Sequence, residues 1–158
     1  MSDIKVDSIE IKRDCVHVVF LGLPNVPGIA AGVFKTLATA GVGVDMVTQN
    51  TMRGGRSDLS FLIQQNRLDQ VIPLCCQISD NVGGQGVSFA TEIAVLSVSI
   101  GKTDAAAMSR VLAEMFSALA GVGVNIEIIN STLASVMCIV SMTRADEGLK
   151  ALKEAFGV

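Results

Sequence analysis

The ionisable side chains of the sequence do not gather into a recognisable catalytic group. His17 is the only histidine, and it stands in a strand pattern without a serine, cysteine or carboxylate cluster, which predicts a structural or solvent role. The segment 100–103, "IGKT", resembles the end of a phosphate loop, but Leu96 replaces the required first glycine. The remaining carboxylates of interest are explained as loop or helix-start groups: Asp104, Asp146 and Glu147. We therefore expect no catalytic residue, metal site or cofactor.

One stretch does suggest binding chemistry. Residues 22–50 read "GLPNVPGIAAGVFKTLATAGVGVDMVTQN", in which prolines and a glycine end an apolar strand before an Ala-rich helix. Asn25 and Pro27 can set the helix entry, and Gly28 permits close approach. The N–H groups of residues 28–30 would then face a bound carboxylate at the positive end of the helix dipole.

The strand after this helix supplies a possible second contact. A side-chain carbonyl of Gln49 or Asn50 could accept a hydrogen bond from a ligand's ammonium group. An anion site beside an ammonium site would suit the backbone of an amino acid. Plain capping of the helix explains the same Pro-Gly pattern, and the residues alone leave both interpretations open.

Composition excludes several other classes of function. The chain has 158 residues, of which 50% are hydrophobic, and a net charge of −3, so a packed core is expected. It has no basic stripe, Trp or Tyr to bind nucleic acid. The polar start lacks a signal-peptide pattern, and no stretch reaches the roughly 18 apolar residues of a membrane span. The four cysteines lack metal or redox spacing and are predicted to be buried thiols of a cytoplasmic protein.

The chain contains one pattern twice. The segments "VHVVFLGL", "AAGVFKTLATAGVGVDMV" and "DLSFLI" recur in order as "VLSVSIG", "LAEMFSALAGVGVNIEII" and "ASVMCIVSM". Phe34 corresponds to Phe116, and Gly41 corresponds to Gly123. The copies lie too far apart for a solenoid and predict a small domain that occurs twice.

Apolar periodicity predicts the elements of each copy. The first has predicted strands at 16–23, 42–49 and 58–64, a final strand within 86–93, a helix whose buried face carries Ile29, Val33, Phe34 and Leu37, and a second helix at 68–76 that contains Pro73. The second has predicted strands at 95–100, 125–131 and 135–142, a helix at 108–120, and a last helix whose apolar face carries Leu149, Leu152 and Phe156.

The second copy is one strand short, which would leave an exposed sheet edge. Residues 4–11 show strand alternation, so we predict that they cross over and complete the second sheet. The predicted domains are 16–92, and 4–11 together with 93–158. This order predicts an α+β protein of two ferredoxin-like βαββαβ domains, the first nested within the second. Because the helices cover one sheet face only, oligomerisation is expected, most simply as a homodimer.

The motifs of the first copy match a known pattern. "LGLPNVPGIAAGVFKTLATAGVGVDMVTQN" followed by "RSDLSFLI" resembles the G-x-x-D-x-P-G-x-A-A, V-D-M-I-x-Q-N and T-D-I-x-F motifs of the paired ACT domains in aspartokinase regulatory regions. The resemblance covers nearly the whole chain. It implies part of an aspartate kinase whose catalytic domain this sequence lacks, inhibited when lysine or threonine binds at the joint between two ACT domains.

The resemblance also implies which residues contact the effector. By position in the motifs these are Asn25, Gly28, Ala30 and Gln49 of the first copy, facing Asn125 and Ile126 of the second. Asp45 and Asn50 belong to the same motif strand.

Three departures from the family pattern affect this expectation. Asn25 stands where the family usually has Asp, which removes a charge suited to the lysine ammonium and favours threonine. The second copy has "AAMSR" in place of a Pro-Gly turn, and Leu133 replaces a frequent acidic residue. We therefore expect the second pocket to be empty or altered. Two other functions stay open: a ligand-free ACT dimerisation module, and an ACT pair that regulates a different enzyme.

Overall fold

Alternating and helical apolar patterns produce eight strands and four α-helices in the computed structural model, which describes residues 4–158. In chain order they are β1 Val6–Lys12, β2 Cys15–Pro24, α1 Ile29–Thr39, β3 Asp45–Met52, β4 Arg56–Gln64, α2 Leu68–Val82, β5 Gly86–Ala90, β6 Ile93–Ile100, α3 Ala105–Gly121, β7 Ile126–Ser131, β8 Ser135–Ser141 and α4 Ala145–Phe156. Short 3-10 turns, Gln65–Arg67 and Met142–Arg144, precede α2 and α4.

The chain divides into two compact units. The central unit comprises Asp14–Thr91, and the split unit comprises the residues up to Arg13 together with Glu92–Val158. The central sheet has the antiparallel order β3-β4-β2-β5, and the split sheet has the order β1-β6-β8-β7. The central unit has the expected βαββαβ order, and in the split unit β1 takes the place of the final strand by pairing with β6. Both are α+β domains, and the first is nested within the second, as predicted.

The core of the central unit lies between one sheet face and the two helices. Alternate residues of β2, including Val18 and Phe20, pack with Val33 and Leu37 of α1 and with residues of α2. The helical face predicted for α1 is confirmed, since Ile29 and Phe34 also pack against this cluster. Gly41, with a φ of 72°, follows the helix and lets the chain reverse.

The N-terminal strand holds the split unit together. β1 pairs antiparallel with β6, with Ile9 opposite Val98. Val6 and Ile9 belong to the buried core of this unit. Arg13, just after the strand, forms an ion pair with Asp146 of α4. The strand thus contributes to the core as well as to the sheet edge.

The structure differs from the sequence prediction at two elements of the central unit. β3 starts at Asp45 rather than at residue 42 and continues to Met52, because residues 42–44, which follow the turn at Ala40 and Gly41, have no regular secondary structure. α2 continues to Val82, although it contains Pro73. Burial of Val71, Cys75 and Ile78 along one face offsets the hydrogen bond lost at the proline.

An arginine completes the C-terminus of the first helix in each unit. Arg67 donates from Nη2 to the carbonyl of Gly41 at 3.0 Å. Arg144 donates in the same way to the carbonyl of Val122. Both arginines come from the 3-10 turn before the second helix. The two units therefore share this capping interaction as well as their strands and helices.

The predicted buried thiols are found at three of the four cysteines. Cys15, Cys75 and Cys138 are buried, whereas Cys76 is exposed, because consecutive helical residues point in directions about 100° apart. Burial raises the pKa of Cys75 and Cys138 to about 12, so both are protonated at neutral pH. Within residues 4–158, no helix has the length and apolarity needed to cross a membrane.

His17 is a buried strand residue, in agreement with its predicted structural role. Its side chain is 7% exposed, and Nε2 has no hydrogen-bond partner among the described residues. Burial lowers the pKa of His17, because the imidazolium would lose its hydration. Burial therefore favours the neutral imidazole in the folded state.

Two glycines in helices allow a test of core packing. A β-carbon at Gly148 would lie 3.0 Å from Leu96 and 3.2 Å from Leu119, whereas one at Gly32 would meet nothing within 4 Å. We expect Gly148→Val to lower the free energy of unfolding by about 1–3 kcal/mol through overpacking. Gly32→Val should be close to neutral in urea denaturation. Equal losses in the two variants would contradict this packing.

The neutral state of His17 predicts a pH dependence of stability. Well above the ordinary histidine pKa of about 6.5, the imidazole is uncharged in both the folded and the unfolded states. As the pH falls through the unfolded value of about 6.5, the unfolded chain binds a proton that the folded chain resists, so the free energy of unfolding falls. His17→Phe should reduce this loss in urea denaturation at a series of pH values. Parallel pH profiles for the two proteins would contradict the prediction.

Candidate functional site

A cavity of about 460 Å³ opens at the start of α1 in the central unit. It lies where β2 ends, where α1 begins, and beside the adjoining strands β3 and β4. Its lining consists of Leu23, Pro24, Asn25, Val26, Pro27, Gly28, Ile29, Ala30, Gln49, Ser57 and Leu59. None of these side chains carries a charge, and the polar ones are Asn25, Gln49 and Ser57.

The turn before α1 is held by backbone geometry. Asn25 N–H donates to the carbonyl of Gly55 at 2.8 Å, and Val26 N–H donates to that of Pro24 at 3.0 Å. Gly28 is the N-cap residue with a φ of 92°, a conformation that favours glycine. A β-carbon there would meet no atom within 4 Å, so the space beside it is open.

The start of α1 presents hydrogen-bond donors to this space. No side chain caps the helix, and no acidic residue lies in its first turn. The first intrahelical bond runs from Gly32 N–H to the carbonyl of Gly28, so the preceding N–H groups lack intrahelical acceptors. Together with the helix dipole, they form an environment that favours an anion.

Strand register decides between the two candidate amides of β3. Gln49 pairs with Leu59, a core residue on the helix side of the sheet, whereas Asn50 pairs with Asp58. Because cross-strand partners share a face, Gln49 points to the helix side and lines the cavity. Its Nε2 donates to Ser57 Oγ at 3.3 Å, which leaves the amide oxygen as an acceptor.

Four of the six predicted effector residues line this cavity: Asn25, Gly28, Ala30 and Gln49. Asn25 lies in the turn before α1, and Gly28 is the N-cap residue. Asn125 and Ile126 belong to the split unit, where Asn125 is exposed and Ile126 packs against its own core. Their predicted contact with an effector stays a prediction.

Two further polar residues have roles that the sequence did not indicate. Ser57 is 1% exposed and lines the cavity; its two-residue spacing from Leu59 and Phe61 is the signal that could have identified it. Asp45 accepts a hydrogen bond from Met46 N–H at 2.7 Å. Met46 has a φ of 50°, so Asp45 stabilises the irregular start of β3.

The corresponding corner of the split unit has a different construction. Matching Phe34 to Phe116 places Arg110, inside α3, at the position of Gly28. α3 therefore begins earlier than α1 and has 17 residues against 11. Asp104 caps it by accepting from Ala107 N–H at 2.7 Å, as expected for a helix-start carboxylate. Helical residues thus replace the turn that borders the cavity in the central unit.

No group of three or more His, Cys, Asp or Glu side chains within residues 4–158 is arranged to hold a metal ion. The cavity at the start of α1 instead combines backbone donors, neutral amides, a hydroxyl and apolar walls. This arrangement suits a small ligand with an anionic end.

Comparison with known families agrees with the fold. The ACT domain pattern matches residues 17–74, and a second ACT domain pattern matches residues 98–156. The chain is 30% identical to an aspartokinase of Mycolicibacterium smegmatis, with 100% of this chain covered. It is also 30% identical to an aspartokinase of Thermus thermophilus, with 98% covered. It spans 38% of the length of each relative.

Solved structures extend the similarity to whole chains. The regulatory subunit of aspartate kinase from Thermus thermophilus, in its ligand-free form, superposes with a TM-score of 0.86 at 27% identity, covering 98% of this chain and 99% of that one. The regulatory subunit from Thermus flavus gives 0.86 at 28% identity, with 96% and 98% covered. The chain therefore belongs to the ACT domain family, as a pair of ACT domains of the type found in aspartokinase regulatory subunits.

Proposed function

We propose that this chain is an amino-acid-sensing regulatory part of an aspartokinase and that its central cavity binds the effector. The observation that carries the proposal is the uncapped start of α1, which opens into a cavity lined by residues of the family's effector motif. The proposed domain boundaries are 16–92, and 4–11 together with 93–158.

The N–H groups near Gly28 and Ala30 would hold the effector's α-carboxylate. They lie at the positive end of α1, where a negative charge is stabilised by about 0.3–1 kcal/mol or more through the helix dipole alone. The amide oxygen of Gln49 would accept from the ammonium group. The two contacts would orient the amino acid with its side chain toward the remaining walls.

The neutral lining favours an uncharged side chain. A lysine ε-ammonium would find no carboxylate among the cavity residues, and burial of an unpaired charge is costly. Asn25 and Ser57 offer hydrogen bonds suited to a hydroxyl. Threonine is therefore the proposed effector, with lysine as the alternative.

The proposed partner is an aspartokinase catalytic domain or subunit. One related structure is described as aspartokinase alpha and beta subunits, and the relatives named above are aspartokinases or their regulatory subunits. Effector binding would favour one arrangement of the ACT pair and inhibit the kinase, with a coupling of about 1–3 kcal/mol.

We further propose a homodimer formed through the ACT domains and a cytoplasmic location. The contacts of Asn125 and Ile126 are proposed from the family resemblance alone.

A ligand-free dimerisation module and an ACT pair of another enzyme are the competing functions. Calorimetric titration with threonine, lysine and methionine separates them. Binding of threonine or lysine supports the proposed sensor, and binding of another amino acid alone supports a different enzyme. A protein that binds none of them, with an unchanged melting temperature, would support the dimerisation module.

The contacts proposed for the effector backbone predict the effects of two substitutions. Gln49→Ala should weaken threonine binding by about 1–3 kcal/mol, because it removes an acceptor. Gly28→Asp should have a larger effect, since it strains a left-handed residue and brings a negative charge to the carboxylate position. Gln77→Ala, at an exposed position of α2, is the matched control. Wild-type affinity in both cavity variants would place the site elsewhere.

The charge of residue 25 predicts effector choice. Asn25→Asp adds a carboxylate at the cavity wall and should raise the ratio of lysine to threonine affinity by about tenfold through a charge-assisted hydrogen bond. Titration of wild type and variant with both amino acids measures this ratio. An unchanged ratio would mean that residue 25 does not contact the effector's side chain.

A further inference from the structure

The last part of β2 contains an irregularity that ends at the cavity. The pairing of β2 with β4 shifts register between Phe20 and Leu23, and Gly22 in this β-bulge has a φ of 57°. A β-carbon on Gly22 would lie 2.3 Å from the side-chain oxygen of Gln85. The bulge therefore favours glycine for its backbone angle, and any larger residue there would also have to displace the Gln85 side chain.

Two side chains of β4 hold both backbone polar groups of Gly22. Asp58 Oδ1 accepts from Gly22 N–H at 2.9 Å. Arg56 Nη1 donates to the Gly22 carbonyl at 2.8 Å and to the carbonyl of Gly83, the C-cap of α2, at 2.7 Å. We refer to Arg56, Asp58 and Gly22 as the bulge clamp.

The bulge clamp adjoins the cavity without lining it. Leu23 and Pro24, which follow the bulge, form part of the cavity wall. Ser57, between Arg56 and Asp58, also lines the cavity, so strand alternation places the two charged side chains on the opposite face of β4. Asn25 N–H bonds to Gly55, the residue before Arg56. The turn that borders the cavity is thus anchored to the start of β4 at two points, Gly22 in the bulge and Asn25 after it.

The second repeat lacks both the bulge clamp and the Pro-Gly turn before the first helix. β6 pairs with β8 in continuous register from Ile93 to Ser99. Counting back from the 3-10 turns that follow β4 and β8, the positions of Arg56 and Asp58 are occupied by Leu133 and Ser135. In the same repeat, the helix α3 replaces the turn before α1. The bulge clamp therefore occurs in the repeat whose first helix follows the Pro-Gly turn and is absent from the repeat whose first helix is capped by Asp104.

We propose that Arg56 and Asp58 are positioning residues for the effector cavity: by clamping the Gly22 bulge, they fix the turn 24–28 and with it the N–H groups at the start of α1. This proposal rests on the proposed function for the identity of the ligand. Its geometric part, the ordering of the turn, concerns the protein without ligand. The two parts can therefore be tested separately.

Amide hydrogen exchange of the ligand-free protein tests the ordering of the turn. The variants are Arg56→Ala and Asp58→Ala, with Asp58→Asn as the rescue variant because its amide oxygen can still accept from Gly22 N–H. Arg67→Ala is the matched control, since Arg67 also donates to a carbonyl after a helix in the same unit, that of Gly41. We expect exchange in the segment 21–30 to rise by about tenfold in the two clamp variants, as for loss of one hydrogen bond. The rescue and control variants should exchange there as wild type does.

Calorimetric titration with threonine, and with lysine in parallel, then tests the cavity. The two clamp variants should bind about tenfold more weakly, whereas Asp58→Asn and Arg67→Ala should stay within about twofold of wild type, below the cost of one lost hydrogen bond. Unchanged exchange in both clamp variants would overturn the proposal, as would faster exchange with unchanged affinity. Equal effects of Arg67→Ala would also overturn it, since they would indicate general destabilisation. If exchange rises as expected but wild type binds no amino acid, the ordering of the turn stands and the proposed function fails.

Discussion

The first turn of an α-helix leaves N–H groups without acceptors inside the helix, and the two repeats meet this constraint in different ways. In the split unit, the carboxylate of Asp104 accepts from Ala107 N–H and completes α3. In the central unit, Gly28 is the N-cap residue of α1, and no side chain caps the helix. Loss of a cap costs about 1 kcal/mol, and in the proposed function an anion bound from solution would supply the missing acceptor. The candidate site is thus a helix start without a side-chain cap.

Duplication makes this contrast informative, because each repeat serves as a reference for the other. Both units share the sheet order, the arginine that caps the first helix, and the glycine after that helix. They differ where the chain passes from the first core strand to the first helix. In the central unit the end of β2 and the following turn contain a bulge, two prolines and an uncapped glycine. In the split unit the connection has the same length but ends at the capping residue Asp104. The divergence is concentrated at one corner of a common scaffold.

Apolar periodicity was sufficient to predict the class of fold, since each buried face repeats every two or every 3.6 residues. It was insufficient at positions where the backbone departs from regular geometry. The left-handed Met46 and the register shift between Asp45 and Thr48 leave no simple mark in the alternation of β3. Pro73 suggested a shorter helix than the one observed, because the packing of the helix face outweighs a single local penalty.

The candidate site could be predicted in part for a related reason. Asn25, Gly28 and Ala30 flank one helix start and were found at one cavity, because neighbours in sequence stay neighbours in a turn. The choice of Gln49 over Asn50 depends on the register of β3 with β4. The residues of β3 alone do not specify this register. Ser57 and the bulge clamp required the pairing of β2 with β4, a contact between distant parts of the chain.

The pairing of β1 with β6 has a consequence for biosynthesis. During translation the central unit has all of its strands once Ala90 has been made, and a domain can fold as a unit while the chain grows. β1 is synthesised earlier but must wait for β6, beyond the whole central unit, before it gains its partner. The second domain therefore depends on contacts of long sequence separation, which form slowly because the intervening loop must first close. Within the folded central unit, His17 pairs with Ala90, so the two ends of the segment between β1 and β6 lie close together. Folding of the central unit therefore lowers the entropic cost of pairing β1 with β6.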